Sequence, residues 1–433
     1  MALFKSSHDE MREVIKLKSN GQLTTSSPMN NGLAREEEDP AVTKFREYIR
    51  IETVQPNPDN AGAMKFLASY AEDLGLPYST HECVPGKPIM IMTWKGEDPS
   101  LSSIILNSHT DVVPVFPEHW THPPFSAHKD EQGNIYGRGT QDMKCVGIQH
   151  LEAIRKLQSQ GKRMKRTIHL TFVPDEEIGG IEGMAMFVKS SVFKDLNVGF
   201  SLDEGLAGVD DEIPLYFGER NVFWIKVTCN GSPGHGSRFL ENTAAEKARQ
   251  VINKLLDFRA QEKKRLELDS ELTLGDVTTV NFTMCQGGVQ VNVVPDKFIL
   301  NFDMRITPTT DIREFEDRLR GWLAEAGSDI DLDFLVKFTD QSLTSVDPQD
   351  PWYEAMTRAF TKHGLKVRPQ IFPAGTDSRY LREVGIPAIG FSPMPHTPVL
   401  LHDHNEFLNE DVFLRGIEVF VDIIENVANV DIV

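Results

Sequence analysis

A chain of 433 residues is more than one ordinary hydrophobic core organises, so two domains are expected, and an apolar content of 40% is ample to build them. The net charge of -19 excludes a nucleic-acid backbone as partner, since that needs a basic surface, but leaves room for a small anion held by one or two local arginines. No apolar run approaches the roughly 18 residues that span a bilayer, which excludes a membrane span.

Residues 1–38 contain the polar tract SNGQLTTSSPMNNG without apolar periodicity and read as a disordered tail. Lys5, Arg12, Lys16 and Lys18 hint at a mitochondrial presequence, but Asp9, Glu10 and Glu13 spoil its acid-poor pattern, and a cytoplasmic protein is the better reading. Asp39-Pro40 then opens a helix, with Val42, Phe45 and Ile49 on its apolar face, and a second helix runs over about 60–74. Strands over 88–94 and 103–106, a helix over 142–157, a strand over 167–173, a helix over 183–189 and a strand over 198–202 follow. This alternation predicts an α/β sandwich with a largely parallel central sheet, whose ligands bind beyond the carboxyl ends of the strands.

The middle of the chain changes pattern. Strands over 221–229, 277–285, 297–306 and 330–338 and helices over 244–268 and 311–324 give the order β-α-β-β-α-β, the ferredoxin-like motif. It reads as a domain spanning 218–339, inserted into a catalytic domain formed by 39–217 and 340–433. The second segment returns with a helix over 351–362, a strand-rich stretch through Gly390-Phe391, and a terminal helix carrying Phe413, Ile417, Phe420, Ile424 and Val427 at helical spacing.

Five segments place acids or histidines at ends of these elements. SHTDVVPV offers His109 and Asp111 after the strand that ends near Leu106, and period-two alternation puts both on one side of the chain. GRGTQDMK puts Asp142 at a helix start, FVPDEEIGG ends a strand with Glu176 and Glu177, SLDEG ends the next with Asp203 and Glu204, and LLHDHNE supplies His402 with Asn405 and Glu406 behind it. Singly, each has a bland reading: a satisfied strand-end histidine, a helix cap, a solvated acidic pair. Jointly they are what a two-metal hydrolytic site requires, and nitrogen and carboxylate donors without cysteine suit zinc, or cobalt and manganese by substitution. At the bend after a strand one glutamate can ligate while its neighbour stays free as general base, and a carboxylate such as Asp111 can orient a ligating histidine.

Together these segments resemble the dinuclear zinc metallopeptidase and amidohydrolase family that includes aminoacylases, bacterial carboxypeptidases and succinyl-diaminopimelate desuccinylase, and the resemblance extends from about Asp39 to the C-terminus. It implies a zinc-exopeptidase-like three-layer sandwich with an inserted dimerisation and lid domain, and two zinc ions per subunit. His109 and Glu204 would hold one zinc and Glu177 and His402 the other, with Asp142 bridging. Glu176 would be the general acid and base, Asp111 would orient His109, and the Asp142-Met143 peptide would be cis. In the inserted domain, His235 of GSPGHGSR would reach across a homodimer interface to polarise the scissile carbonyl. Asn292 and Arg305 would hold a substrate carboxylate, though Arg305 also reads as a strand-end salt bridge, and Thr376 of AGTDSR is a further substrate-side candidate. The four cysteines, Cys83, Cys145, Cys229 and Cys285, form no Cys-x-x-Cys pair and read as reduced, mostly core thiols, Cys145 among them.

The implied activity is hydrolysis of an N-acyl-L-amino acid, N-acetyl aliphatic amino acids favoured, to a carboxylate and a free amino acid. Two alternatives stand beside it: a dipeptidase or carboxypeptidase on the same metals, with Glu204 weighing mildly against the dipeptidase, and a non-catalytic dimeric binding protein that has kept the fold.

Overall fold

The structure, a computed structural model, describes residues 38–431. The tail expected over 1–38 therefore lies, but for its last residue, outside the described residues.

The strand Ser103–His109 is buried along its whole length and sits inside an eight-stranded sheet. The order across that sheet is Tyr78–Glu82, Pro88–Trp94, Ile168–Val173, Ser103–His109, Val198–Asp203, Ala388–Phe391, Glu212–Glu219 and Lys366–Phe372. Ser103–His109 runs parallel to both its neighbours, and the parallel pairing continues from Val198–Asp203 to Ala388–Phe391. Glu212–Glu219 is antiparallel to Ala388–Phe391 but parallel to Lys366–Phe372, and the hairpin edge at Tyr78–Trp94 is antiparallel throughout, so the sheet is mixed.

Alternation sorts the side chains of this sheet into two cores. Met90, Met92, Ile104, Leu106, Leu170 and Leu202 pack under helices Pro40–Ile49, Lys144–Ser159, Pro351–His363 and Glu410–Ala428, while Ile89, Ile91, Ile105 and Val173 face Phe187, Phe193, Tyr380 and Leu381 on the other side. The result is a three-layer sandwich in which each fully buried aliphatic or aromatic side chain contributes roughly 1.5–3 kcal/mol. Helix ends follow local chemistry. Asp59 accepts the amide of Gly62 to start Asn60–Leu74, and Gly75, at φ +64°, stops it in the left-handed conformation.

Between Glu212–Glu219 and Lys366–Phe372 the chain builds a second sheet, antiparallel, in the order Thr279–Gly287, Lys297–Ile306, Asn221–Asn230, Ile330–Lys337. With helices Ala244–Leu268 and Ile312–Ala326 it follows the expected β-α-β-β-α-β order. Phe223, Ile225, Val227 and Cys229 alternate into a core of their own with Val251, Leu255, Phe315 and Leu319. The opposite face of this sheet leaves Trp224 and Leu335 exposed.

Among the described residues, no helix is long and apolar enough to cross a membrane. The four cysteines are unpaired; Cys145 and Cys229 are buried, Cys83 is half-buried and Cys285 exposed.

Candidate metal centre

Parallel strands align their carboxyl ends, and that edge collects the chemistry. His109 closes its strand, Glu204 follows Val198–Asp203, and the glutamate pair lies on a single helical turn, Glu176–Ile178, just beyond Ile168–Val173. Asp175, at φ +70°, and Gly179, at φ +103°, bend the chain on either side of that turn. Asp142 stands just before the helix Lys144–Ser159, and its peptide bond to Met143 is cis.

The side chains converge. Nδ1 of His109 lies 2.9 Å from the main-chain carbonyl of Asp111, to which it donates, so Nε2 is the nitrogen turned to the site, where it would ligate a cation in place of its own proton. Nε2 is 2.9 Å from Asp142 Oδ1 and 3.4 Å from Glu204 Oε1. The other oxygen of Asp142 is 3.3 Å from His402 Nε2, which is itself 2.9 Å from Glu177 Oε2. Asp142 thus presents one oxygen to each histidine. Donor atoms of His109, Asp142 and Glu177 lie within 4.8 Å of one another, and so do those of His109, Glu176 and Glu204.

Burial raises the carboxyls of Glu176 and Glu204 well above the usual range, and burial with the charge of Asp142 carries Glu177 up to about 7. For Asp142 burial pushes upward too, but hydrogen bonds from His109 and His402 outweigh it and hold the carboxyl low. Burial lowers His109, yet Glu204 and bonds to Asp111 and Asp142 raise it on balance; His402, bonded to Asp142 and Glu177, rises to about 10. So dense a set of buried carboxylates is matched by a divalent cation. Glu177 Oε1, buried and without a hydrogen-bond partner among the described residues, is an atom such a cation would satisfy. The donors are all nitrogen and oxygen, which suits zinc, cobalt or manganese.

Other buried groups hold this constellation: Glu406, Asp111 and Asp203 stand in the segments the sequence singled out, but their partners Arg138, Asn107, Ser378 and Asp377 do not figure there as candidates. Glu406 accepts the amides of Gln141 at 2.6 Å and Asp142 at 3.3 Å while pairing with Arg138 at 2.6 Å, so it fixes the loop that carries Asp142. The Asp111 carboxylate is 3.6 Å from His109 Nδ1 and accepts the amides of Glu176 and Glu177, each at 3.2 Å. Its main contacts are therefore with the glutamate turn, and it is its carbonyl that meets His109. Asp203 accepts from Ser378 at 2.8 Å and Asn107 at 3.3 Å, beside Asp377, whose carboxyl is pushed up to about 8 by burial and by Asp203.

Two cavities open on the cluster. A recess of about 70 Å³ is lined by Glu176, Glu204, Leu206, Thr376, Met394 and His402, and a cleft of about 390 Å³ by Glu176, Ile178, Ile181, Trp224, Arg305 and Arg379 among others. Arg305 thus faces the cleft, although its guanidinium also pairs with Asp303 at 2.7 and 3.1 Å. Thr376 lines the recess, but its amide and hydroxyl both donate to Glu219, at 2.8 and 2.7 Å. His235 and Asn292 line neither cavity: they sit together, exposed, at a separate two-stranded ribbon of Gly234–His235 with Val293–Val294, where the Gly236 amide donates to the Asn292 carbonyl at 2.8 Å. Arg379, a second guanidinium on the cleft, went unnoticed in AGTDSR, where only its nearness to Thr376 could have flagged it.

A three-layer α/β sandwich with paired histidines and a carboxylate between them at the strand ends defines the metal-dependent hydrolase class. The profile of peptidase family M20/M25/M40 matches residues 105–426, and the chain belongs to that family. It is 52% identical to aminoacylase-1 of Mus musculus over 408 residues, covering 94% of this chain and 98% of the mouse protein. Its identity to aminoacylase-1 of Homo sapiens is 50%, over 91% of this chain and 97% of the human one, and to that of Dictyostelium discoideum 44%, over 91% and 99%. Among solved structures, an M20 family metallo-carboxypeptidase from Sulfolobus solfataricus shares the fold with a TM-score of 0.68 at 18% identity, over 90% of this chain and all of that one.

Proposed function

We propose that the protein hydrolyses N-acyl-L-amino acids to a carboxylate and a free L-amino acid, using two zinc ions per subunit. The observation that carries this reading is the Asp142 carboxylate shared between His109 and His402 with Glu176 beside it, in a chain about half identical to proteins named aminoacylase-1. His109 and Glu204 would hold one ion and Glu177 and His402 the other, a division supported by the His109–Glu204 and His402–Glu177 contacts, with Asp142 common to both. When bound, such ions supply the Lewis-acid charge that makes water nucleophilic near neutral pH and draws electron density from the scissile carbonyl.

The rest falls to the chain's own residues. Glu176, buried and with its carboxyl raised, takes the proton of the attacking water and returns it to the nitrogen of the leaving amino acid. Arg305, on the wall of the cleft, anchors the α-carboxylate, and the partner subunit's Asn292, which lines neither cavity of its own chain, joins it there. The partner subunit's His235 donates to the carbonyl oxygen as negative charge develops on it. This last role makes the protein a homodimer assembled through residues 218–339, which form an inserted dimerisation and lid domain between the catalytic segments 39–217 and 340–433. It is favoured by the exposed setting of His235 and Asn292 beside Val289 and Val291, which are also exposed. The unpaired cysteines support residence in the cytoplasm.

A dipeptidase or carboxypeptidase reading has the same metal site. Assaying N-acetyl-L-methionine beside an unblocked methionyl dipeptide, with chelation followed by zinc repletion, separates the two. Preferential cleavage of the acyl amino acid, lost on chelation and restored by zinc, is expected; cleavage of the dipeptide alone would overturn the proposal.

A further inference from the structure

The glutamate turn is held by a chain of polar contacts that begins outside the metal centre, at Gln55. The backbone around this residue is fixed: its amide donates to the Val112 carbonyl at 3.0 Å, and the Val112 amide donates to Thr53 at 2.9 Å. Its side chain is buried, and the single amide nitrogen Nε2 donates to two carboxylates at once, Asp111 Oδ2 at 2.7 Å and Asp175 Oδ1 at 3.2 Å. Both acceptors are tied to Glu176. Asp175 precedes it in the chain with a left-handed backbone, and Asp111 receives the amides of Glu176 and Glu177 on its two oxygens. On the solvent side, Lys87 Nζ contacts Asp175 Oδ2 and, at 2.5 Å, Glu182 Oε2.

Two buried carboxylates facing each other across the turn repel unless a donor lies between them. Gln55 is that donor, and Lys87 supplies the neutralising charge. We propose that Gln55 is a positioning residue for the general base: by bridging Asp111 and Asp175 it sets the turn on which Glu176 is aimed at the reacting water, with Lys87 as the outer support. Gln55 itself touches neither the candidate ligands nor Glu176. A misplacement of a reacting group by about 1 Å costs on the order of 100-fold in rate, so loss of this bridge registers in turnover while leaving substrate binding in place.

The inference rests on the amidohydrolase reading, and the experiment separates the two. Full-length wild type is assayed first on N-acetyl-L-methionine with zinc; failure to cleave it would remove the proposed function, whatever the variants do. With an active wild type, Gln55→Met and the near-isosteric Gln55→Glu, which puts a third carboxylate where the donor was, are expected to lower kcat by about 10- to 100-fold with KM within about twofold and metal content unchanged. Wild-type kcat in Gln55→Met, or kcat, KM and metal content failing together as in a general loosening, would overturn the positioning role. Should the Gln55 variants not fold, Lys87→Met on the solvent side decides: a several-fold loss of kcat restored by Lys87→Arg supports the chain of contacts, and unchanged kcat refutes it.

Discussion

The metal centre and the His235 loop carry the two halves of the proposed chemistry, and they are built in opposite ways. Around Asp142 every element is overdetermined: Glu406 fixes the loop backbone, Asp111 holds the amides of both glutamates, and the histidines are buried or bonded on two sides. Around His235 little holds the side chain beyond Ser237, whose Oγ at 2.8 Å and amide at 3.2 Å both meet Nδ1, and Phe239, Val289 and Val291 stand fully exposed nearby. A site assembled within one chain can be preorganised by that chain alone; a loop offering apolar side chains to solvent gains order when a second surface covers it. Arg305 and Asn292 fall on opposite sides of this divide, since only Arg305 faces its own subunit's cleft.

The largest effect should come from inside the preorganised half. Glu176→Gln keeps the shape of the turn and removes the proton acceptor, so kcat should fall by about 1,000-fold or more with metal content preserved; full activity would move the base elsewhere. Next in size is an attack on the open half. Charging the exposed loop with Val291→Asp and Phe239→Asp should convert the proposed dimer to monomer in sedimentation and cost on the order of 100-fold in kcat, as expected for losing one donor to a developing oxyanion. A monomer as active as the dimer would confine the chemistry to one chain. Arg305→Met tests the boundary between the halves: loss of a charge-assisted carboxylate contact worth roughly 1.5–3 kcal/mol should lower kcat/KM by about 10- to 100-fold, mostly through KM. An unchanged KM would leave Arg305 as the partner of Asp303 alone.

The same contrast explains what the sequence could and could not reveal. Runs such as SIIL and IHLTFV are buried on both faces, and their β-branched composition marked them as strands, though the first continues past its expected end near Leu106 to His109; Pro88–Trp94, Ala244–Leu268 and Lys297–Ile306 fell on their expected bounds. Tyr78–Glu82 escaped notice because it is a polar, exposed edge, and Glu212–Glu219 because Pro214 interrupts its apolar run. The helix expected over 183–189 shrinks to Met184–Phe187, and the sheet is less parallel than its alternating elements implied, since no local pattern encodes strand order. Donors at strand ends were legible because metal chemistry demands their residue types. Gln55 and Asp175 were not, because their roles arise only from tertiary contact, and Glu406 was visible only as a neighbour of His402, without its hold on the Asp142 loop.

The smallest effect lies in the sandwich core, at one of several buried polar side chains without a hydrogen-bond partner among the described residues. His150 is buried against Phe420, ring centroids 4.5 Å apart, and neither ring nitrogen has a hydrogen-bond partner among the described residues. Burial lowers its pKa to about 3, below the unfolded value near 6.5. The unfolded chain therefore binds the extra proton first as pH falls. Stability contributed by the neutral ring is fully present above about 6.5, declines through the window down to about 3, and is flat beneath it. His150→Leu removes both the unpaired nitrogens and this linkage. It should gain about 1 kcal/mol at neutral pH and flatten the acid limb of a denaturant-derived stability curve, with His169, lowered to about 4 by burial, leaving a residual slope of the same sign. A variant whose acid limb matches wild type would mean that His150 finds a hydrogen-bond acceptor in the folded protein, as His109 does at the Asp111 carbonyl.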